Sequence, residues 1–552
     1  MKYSIWFVGC LVIFSLIGCF DDKGTYDYKD LNEPIWNTGD GEPVINVTCR
    51  AGEVAKFRAS PFFAWKGDSL KRAGEVRYEW KLDGVVIGEE ADFDIDTYEL
   101  MEKIGMTQFS KSGTNGTFSI IEKESGIAYM VRAYITISPT NTRGDWAILS
   151  KKGGNAKLSY VKCARNQETR KLEFTLLEDL FFENYNQDIP GTPLALAMSN
   201  YSTNIGSLGS VTVITDQVGY EFNCENMLKV SELQDDFTSL PANFKPIDRT
   251  DCYESMTTSG VHSFIAMEDG SLYRRQMSMN NLGGDFMSIP LASDEKGYKI
   301  TKFGQPRWGF GNVPCYDEAN NRMLTILFYR SGEPGPFPGF PGGTEYQLSK
   351  LATTEPAAGM PTEGWCPVWS FPEGIEFLHA SYAGSVSGGG WFTYYDQMNV
   401  FYNDKDGNTR WGVYTLDQTT GQTVNNAGNK DVAFPGNKLT KESVILTSGK
   451  VNGTMLNYIL YSNGSEIRYV NKQENQDYPF VTLEDATDRV TYMTYTVYLD
   501  YEYLIVGTEQ GKLLFYNVQE MKANPELLEE FDLGETIISA KELSSYSSGD
   551  RY

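Results

Sequence analysis

The sequence predicts an all-β protein, an N-terminal immunoglobulin-like β-sandwich followed by a seven-bladed β-propeller. Three observations predict it: one hairpin pattern recurs seven times after residue 144, no helical periodicity separates the copies, and short alternating strands precede them. The clearest copy covers residues 503–516, where Tyr503-Leu504-Ile505-Val506 and Leu513-Leu514-Phe515-Tyr516 flank a polar turn with Gly511. Two apolar runs around such a turn form a β-hairpin. Residues 263–273 and 457–469 repeat the grammar, and looser copies begin at Trp146, Val211, Met323 and Trp391. Seven copies in residues 144–552 give one unit per about 58 residues, a period typical of radial blades. Six or eight blades also fit that spacing. Residues 323–328 are almost uniformly apolar, as a strand covered on both faces must be.

The chain opens with Lys2, an apolar run over residues 5–16, and Leu16-Ile17-Gly18-Cys19. A basic start, a short apolar core and a small residue before the cleavage point read as a secretory signal over residues 1–18. Asp21 and Asp22 end the run short of the ~20 apolar residues a membrane-spanning helix needs. Leu-Ile-Gly-Cys resembles the bacterial lipobox, which implies thioether lipidation of Cys19. Two or more acyl chains anchor a protein stably where one does not. Phe20-Asp21-Asp22-Lys23 resembles the acidic export signal of Bacteroidota surface lipoproteins. Residues 19–33 are polar and acidic, and read as a tether between lipid and the first folded unit.

Residues 34–142 carry the sandwich strands: 44–48, 54–59, 76–82, 118–121 and 129–137. Asp83-Gly84 is a strong turn dipeptide, and Gly113-Thr114-Asn115-Gly116 reads as a mobile loop. Strands at this spacing over about 110 residues fit an immunoglobulin-like fold. Tyr78-x-Trp80 before its turn resembles the central strand of PKD modules, with the tryptophan in the core.

Residues 143–552 are the propeller span. A Gly/Pro-rich insert over residues 331–343 replaces the tight turn of the fourth hairpin, and Gly364-Trp365-Cys366-Pro367-Val368-Trp369 follows it. Residues 525–530 read as a short helix, residues 537–540 as a final strand, and residues 544–552 as a fraying tail.

Together, Asp22-Lys23-Gly24-x-Tyr26-Asp27-Tyr28-x-Asp30-Leu31-Asn32-Glu33, then Tyr78-x-Trp80, then Gly144-x-Trp146-x-Ile148-Leu149-Ser150 resemble the PKD-like family lipoproteins of Bacteroidota. The order and spacing of the three motifs carry the resemblance. It implies a lipid-anchored accessory protein of the outer membrane, beside SusC/SusD-like importers and neighbouring surface lipoproteins. It brings no catalytic motif.

Composition narrows the function. Lys plus Arg number 48 against 73 Asp plus Glu, a net charge of −25. Such a surface repels phosphate backbones, so no nucleic-acid partner is expected. Of eight cysteines, Cys10 leaves with the signal and Cys19 is the anchor. The remaining Cys49, Cys163, Cys224, Cys252, Cys315 and Cys366 form no Cys-x-x-Cys motif, allow 15 pairings, and read mostly as buried thiols. His262 and His379 are the only histidines, too few for a usual zinc site, and no nucleophile-elbow or phosphate-loop motif occurs.

Asp92, Asp94 and Asp96 share one face of an extended strand and could offer oxygen ligands to a structural Ca²⁺. A strand edge protected by charge is the simpler reading, and no other cofactor is expected. Asn403-Asp404-Lys405-Asp406-Gly407-Asn408 reads as a hairpin turn rather than a calcium loop. Phe337 and Phe340 on the insert, with Trp365 and Trp369, form the candidate binding surface, although packing between blades would occupy the same rings. The expectation is a non-catalytic binding or scaffold subunit of a SusCD-type importer of oligopeptide or glycan, facing the cell exterior. A propeller glycoside hydrolase or lyase acting on polysaccharide, working through two close carboxylates, is the alternative.

Overall fold

The structure is a computed structural model, and it describes residues 33–37, 44–65, 74–106, 113–139, 141, 144–166, 169–199, 209–253, 260–278, 285–306, 312–331, 346–387, 394–448, 454–498 and 501–543. The chain is all-β and divides into two compact units, one reaching Ile137 and the other running from Ser138.

In the first unit a five-stranded sheet orders Val44–Arg50, Ala128–Ser138, Thr114–Glu122, Val76–Leu82 and Val85–Gly88. Val54–Arg58 pairs antiparallel with Asp92–Asp96, and Ile35–Trp36 with Phe63–Ala64. Val44–Arg50 alternates exposed and buried along its length, the period-2 signature of a half-buried strand. Trp80 is fully buried against Phe57 and Phe118, with ring centroids 5.1 and 4.7 Å away. Its indole N–H donates to Glu90 O at 3.0 Å, so the largest core side chain leaves no polar atom unsatisfied. The Asp83-Gly84 turn is present, with both residues at positive φ, 45° and 82°, as a two-residue type I′ hairpin requires. The mobile loop expected at 113–116 is instead the start of a strand, in which Gly116 pairs with both Leu82 and Ala133. Glycine serves close packing there, because a Cβ on Gly116 would collide with Lys81 O.

The second unit carries seven sheets among the described residues. The first orders Leu172–Leu177, Asn155–Arg165, Trp146–Lys152 and Ile537–Glu542, so the last strand of the chain completes the sheet that opens the unit. The second orders Pro193–Ser199, Ser210–Thr215, Gly219–Asn223 and Lys229–Glu232. The third holds Pro246–Tyr253, Gly260–Met267 and Leu272–Ser278, and the fourth Val313–Asp317, Arg322–Ser331 and Tyr346–Thr353. The fifth holds Glu376–Ser387, Tyr394–Asn403, Thr409–Asp417 and Lys430–Ala433. The sixth contains Ile445–Thr447, Tyr458–Asn463, Glu466–Asn471 and Gln476–Thr482. The seventh contains Val490–Tyr498, Tyr501–Thr508, Lys512–Asn517 and Leu527–Asp532. Among the described residues each sheet holds one of the expected hairpins, while residues 391–393 of the fifth copy and residues 332–343 of the insert lie outside them.

The helix expected at 525–530 is a strand, with Leu514 opposite Glu530 and Phe515 opposite Glu529. A register shift between Phe515 and Tyr516 explains the misreading. The extra residue of a bulge changes the phase of a strand, so Leu528 and Phe531, three apart, both reach the same apolar cluster. Three-residue spacing imitates a helical face.

Apolar clusters link the sheets. Leu149 of the first sheet shares one with Val213 of the second, while Ile214 shares the next with Ile265 of the third. Phe264 joins Leu324 of the fourth, and Met323 joins Met398 of the fifth. Phe401 joins Ile459 of the sixth, and Leu460 joins Leu504 of the seventh. Ile505 returns to Ile148 of the first. Consecutive residues of one strand therefore feed opposite neighbours, which is why these runs are apolar without alternation. Cys49, Cys163, Cys224, Cys315 and Cys366 are buried and unbridged.

Candidate functional site

The second and third sheets meet at a seam with a cleft at one end of their strands and a buried ionic network further along them. Thr215 closes the Ser210–Thr215 strand and builds its own turn. Its hydroxyl accepts from Gln217 N at 3.1 Å and Val218 N at 2.9 Å, and donates to Pro190 O at 2.7 Å. Gly219 then lets the connection to the third sheet approach: Leu233 N donates to Gly219 O at 2.9 Å, and a Cβ on Gly219 would press on the Leu233 side chain. At the far end of that connection Glu268 N donates to Lys245 O at 2.9 Å.

These segments bound a cleft of about 520 Å³, within the size range of small-molecule sites. Leu194 and Leu240 line it at 40% and 50% exposure. Three carboxylates, Asp216, Glu232 and Glu268, and one ammonium, Lys245, stand among the lining residues. Each carboxylate has a structural contact. Asp216 Oδ1 accepts from Thr192 N at 2.8 Å, Glu232 takes Lys229 at 3.1 Å and Gln234 at 2.9 Å, and Glu268 pairs with Lys245 at 3.0 Å. The last pair is largely solvated, so it holds weakly.

Two or three residues further along the same strands, Thr212, Glu221 and Arg249 begin the network. Arg249, fully buried, donates to Asp251 at 3.2 Å, Ser199 Oγ at 2.7 Å, Ser263 Oγ at 3.2 Å and the Thr212 hydroxyl. Arg275 grips both oxygens of Glu221, at 2.9 and 3.1 Å, and reaches Asp236 at 2.9 Å. Arg249 also approaches Glu221, at 3.5 Å. Burial by itself would raise the Glu221 pKa, but the two guanidiniums override it and hold this carboxyl well below its usual range. Burial pushes Asp236 up, and the neighbouring Glu221 charge adds to that against the pull of Arg275. Buried charges persist only when paired and hydrogen-bonded.

A second polar region lies where residues 301–305 lace three sheets together. Phe303 N donates to Asp248 Oδ2 at 3.0 Å, Gly304 N to Pro314 O at 2.8 Å, and Gln305 N to Ala380 O at 2.9 Å. Burial raises the Asp248 carboxyl despite the Phe303 and Arg249 amides that donate to it. The neighbouring His379 is pushed down to about 3, by burial and then by the Lys302 charge, so its ring is neutral at physiological pH. His262 is buried in the Gly260–Met267 strand and stacks beside Phe264, centroids 6.3 Å apart.

Cys19, Phe337 and Phe340 lie outside the described residues. Trp365 and Trp369 are both half-buried. Trp369 packs against the apolar cluster shared by the fourth and fifth sheets, whereas Trp365 N donates to Thr362 O at 3.1 Å in a turn. The three aspartates of the first unit have separate duties. Asp92 accepts from Ala59 N and Ser60 N, Asp94 pairs with Arg58 at 2.5 Å, and Asp96 caps the helix Thr97–Lys103. Asp404 accepts from Asp406 N and Asn408 N within the expected hairpin turn.

Sequence reasoning passed over the seam. Its one local signal is charge inside strand positions, in Asp248-Arg249-Thr250-Asp251 and Arg274-Arg275. Charges in a covered strand need partners across the interface, but nothing local names them.

Residues 19–193 match the model of the PKD-like family. No curated protein matches the chain. Among solved structures, an apocarotenoid oxygenase from Synechocystis aligns at 9% identity and TM-score 0.39, covering 73% of this chain and 93% of that one. A dihydro-heme d1 dehydrogenase, NirN, aligns at 9% identity and TM-score 0.33, covering 79% and 74%. A quinoprotein alcohol dehydrogenase-like protein from Bacteroides thetaiotaomicron aligns at 11% identity and TM-score 0.22, covering 92% and 99%. Likeness at these values carries nothing about chemistry.

Proposed function

We propose that this chain is an outward-facing, lipid-anchored lipoprotein of the outer membrane, and that it works as a non-catalytic binding or scaffold subunit beside a SusC/SusD-like importer. In this reading residues 143–552 form a seven-bladed propeller, with the C-terminal strand closing the ring. The seven sheets, and the apolar clusters that run from each sheet to the next and from the seventh back to the first, support that architecture. Cys19 behind Leu16-Ile17-Gly18 supports the anchor.

The observation that carries the functional reading is the internal pairing at the seam. Its buried charges, Glu221 with Arg249 and Arg275, answer one another. A stiff display surface needs that arrangement, whereas a glycosidase needs two carboxylates about 5–9.5 Å apart and free to reach substrate. Mild-detergent co-isolation of the tagged full-length lipoprotein from its own outer membrane, read by mass spectrometry, tests it. A SusC/SusD-like pair recovered in near-equal amount is expected. Recovery of the protein alone across several detergents would remove the subunit reading.

A further inference from the structure

We propose that the cleft between the second and third sheets takes an extended peptide carrying basic side chains among apolar ones. This rests on the reading of the chain as a binding protein and names the ligand class of one site. Four observations carry it. First, Leu194 and Leu240 remain 40% and 50% exposed inside a concave space of about 520 Å³, where apolar surface gains by being covered. Second, the charges are lopsided, Asp216, Glu232 and Glu268 against Lys245 in the lining and the Lys229 paired to Glu232. A cationic side chain is therefore favoured and an anionic one repelled, the more so on a chain of net charge −25.

Third, Asp216 spends Oδ1 on Thr192 N, and the Glu268–Lys245 pair is solvated enough to exchange. Both carboxylates can accept from a guanidinium or ammonium without unmaking a buried contact. Gln217 and Gln234, also in the lining, each supply a donor and an acceptor of the kind a peptide backbone uses. Fourth, the lining suits a glycan poorly. Among the described residues its one aromatic ring is Phe244, which packs in a T-shaped pair with Phe237 at 81° with centroids 5.4 Å apart.

The test uses the full mature chain and fluorescence polarisation with labelled Leu-Lys-Leu-Pro-Lys-Leu. The same peptide with both lysines replaced by glutamate, and unlabelled maltohexaose, serve as comparisons. The basic peptide is expected to bind, the acidic one to fail, and maltohexaose not to compete. Asp216→Asn combined with Glu268→Gln should weaken binding about tenfold, the factor that 1.4 kcal/mol represents, with an unchanged melting temperature. Leu240→Ser should weaken it as well. Equal binding of both peptides, no binding of the basic one, competition by maltohexaose, or full affinity in the double variant would each overturn the proposal. Importer proteins co-isolating with a chain that binds no peptide would sink the cleft inference alone. Peptide binding by a chain that isolates by itself would sink the subunit reading alone.

Discussion

Glu221 serves two guanidiniums with a single carboxylate, and its cost of removal follows from that. Glu221→Gln keeps the shape but takes away the carboxylate that Arg249 and Arg275 share, leaving these nearly inaccessible guanidiniums only Asp251 and Asp236 in a low-dielectric seam. Breaking a buried pair on one side costs about 3–5 kcal/mol, so chemical denaturation should show a loss of that order. Glu268→Gln, which touches only the solvated Lys245, should change stability by less than about 1 kcal/mol. Equal effects would mean that the network is not the clamp described. At this scale the sequence was informative about type and silent about partners. Arg249 and Arg275 stand out as charges inside strands, yet Glu221, the group that answers both, lies 28 and 54 residues away from them.

Strands and hairpins were the legible level. A period of two and a glycine-bearing turn identify a hairpin from local residues alone, and among the described residues each sheet of the second unit holds one of the seven expected hairpins. The failures have local physical causes. Bulge-shifted Leu528 and Phe531 imitated a helix, and the glycine at 116 marked close packing where it suggested a loop. The cleft was illegible because its walls come from a strand start, a turn, a connection and a strand end belonging to two sheets. Pairing between the two ends of the second unit was equally hidden. Ala147 stands opposite Lys541 in the first sheet, and such partners lie about 4.5–5.5 Å apart at Cα, inside disulfide range. Ala147→Cys with Lys541→Cys should therefore crosslink in the folded chain and raise the unfolding free energy by about 4 kcal/mol or more on the chain-entropy argument. Peptide mapping that finds both thiols free under oxidising conditions would break the pairing.

For the molecule as a whole, charge and architecture support one account. A net charge of −25 resists association with anionic polymers. The proposed function and the proposed cleft both require stiff sheets whose positions do not wander. The proposed ring would supply that stiffness, because in a closed ring each sheet is covered on both faces and none is left at an open end. The claim on which the account turns is therefore that the seven sheets of the second unit close on one another. Single-particle electron cryo-microscopy of the full chain, held by a rigid binder for size, tests it directly. The account predicts seven sheets around one centre, with Ile537–Glu542 in the same sheet as Trp146–Lys152. An open arc, a different number of sheets, or a C-terminal strand lying elsewhere would contradict it.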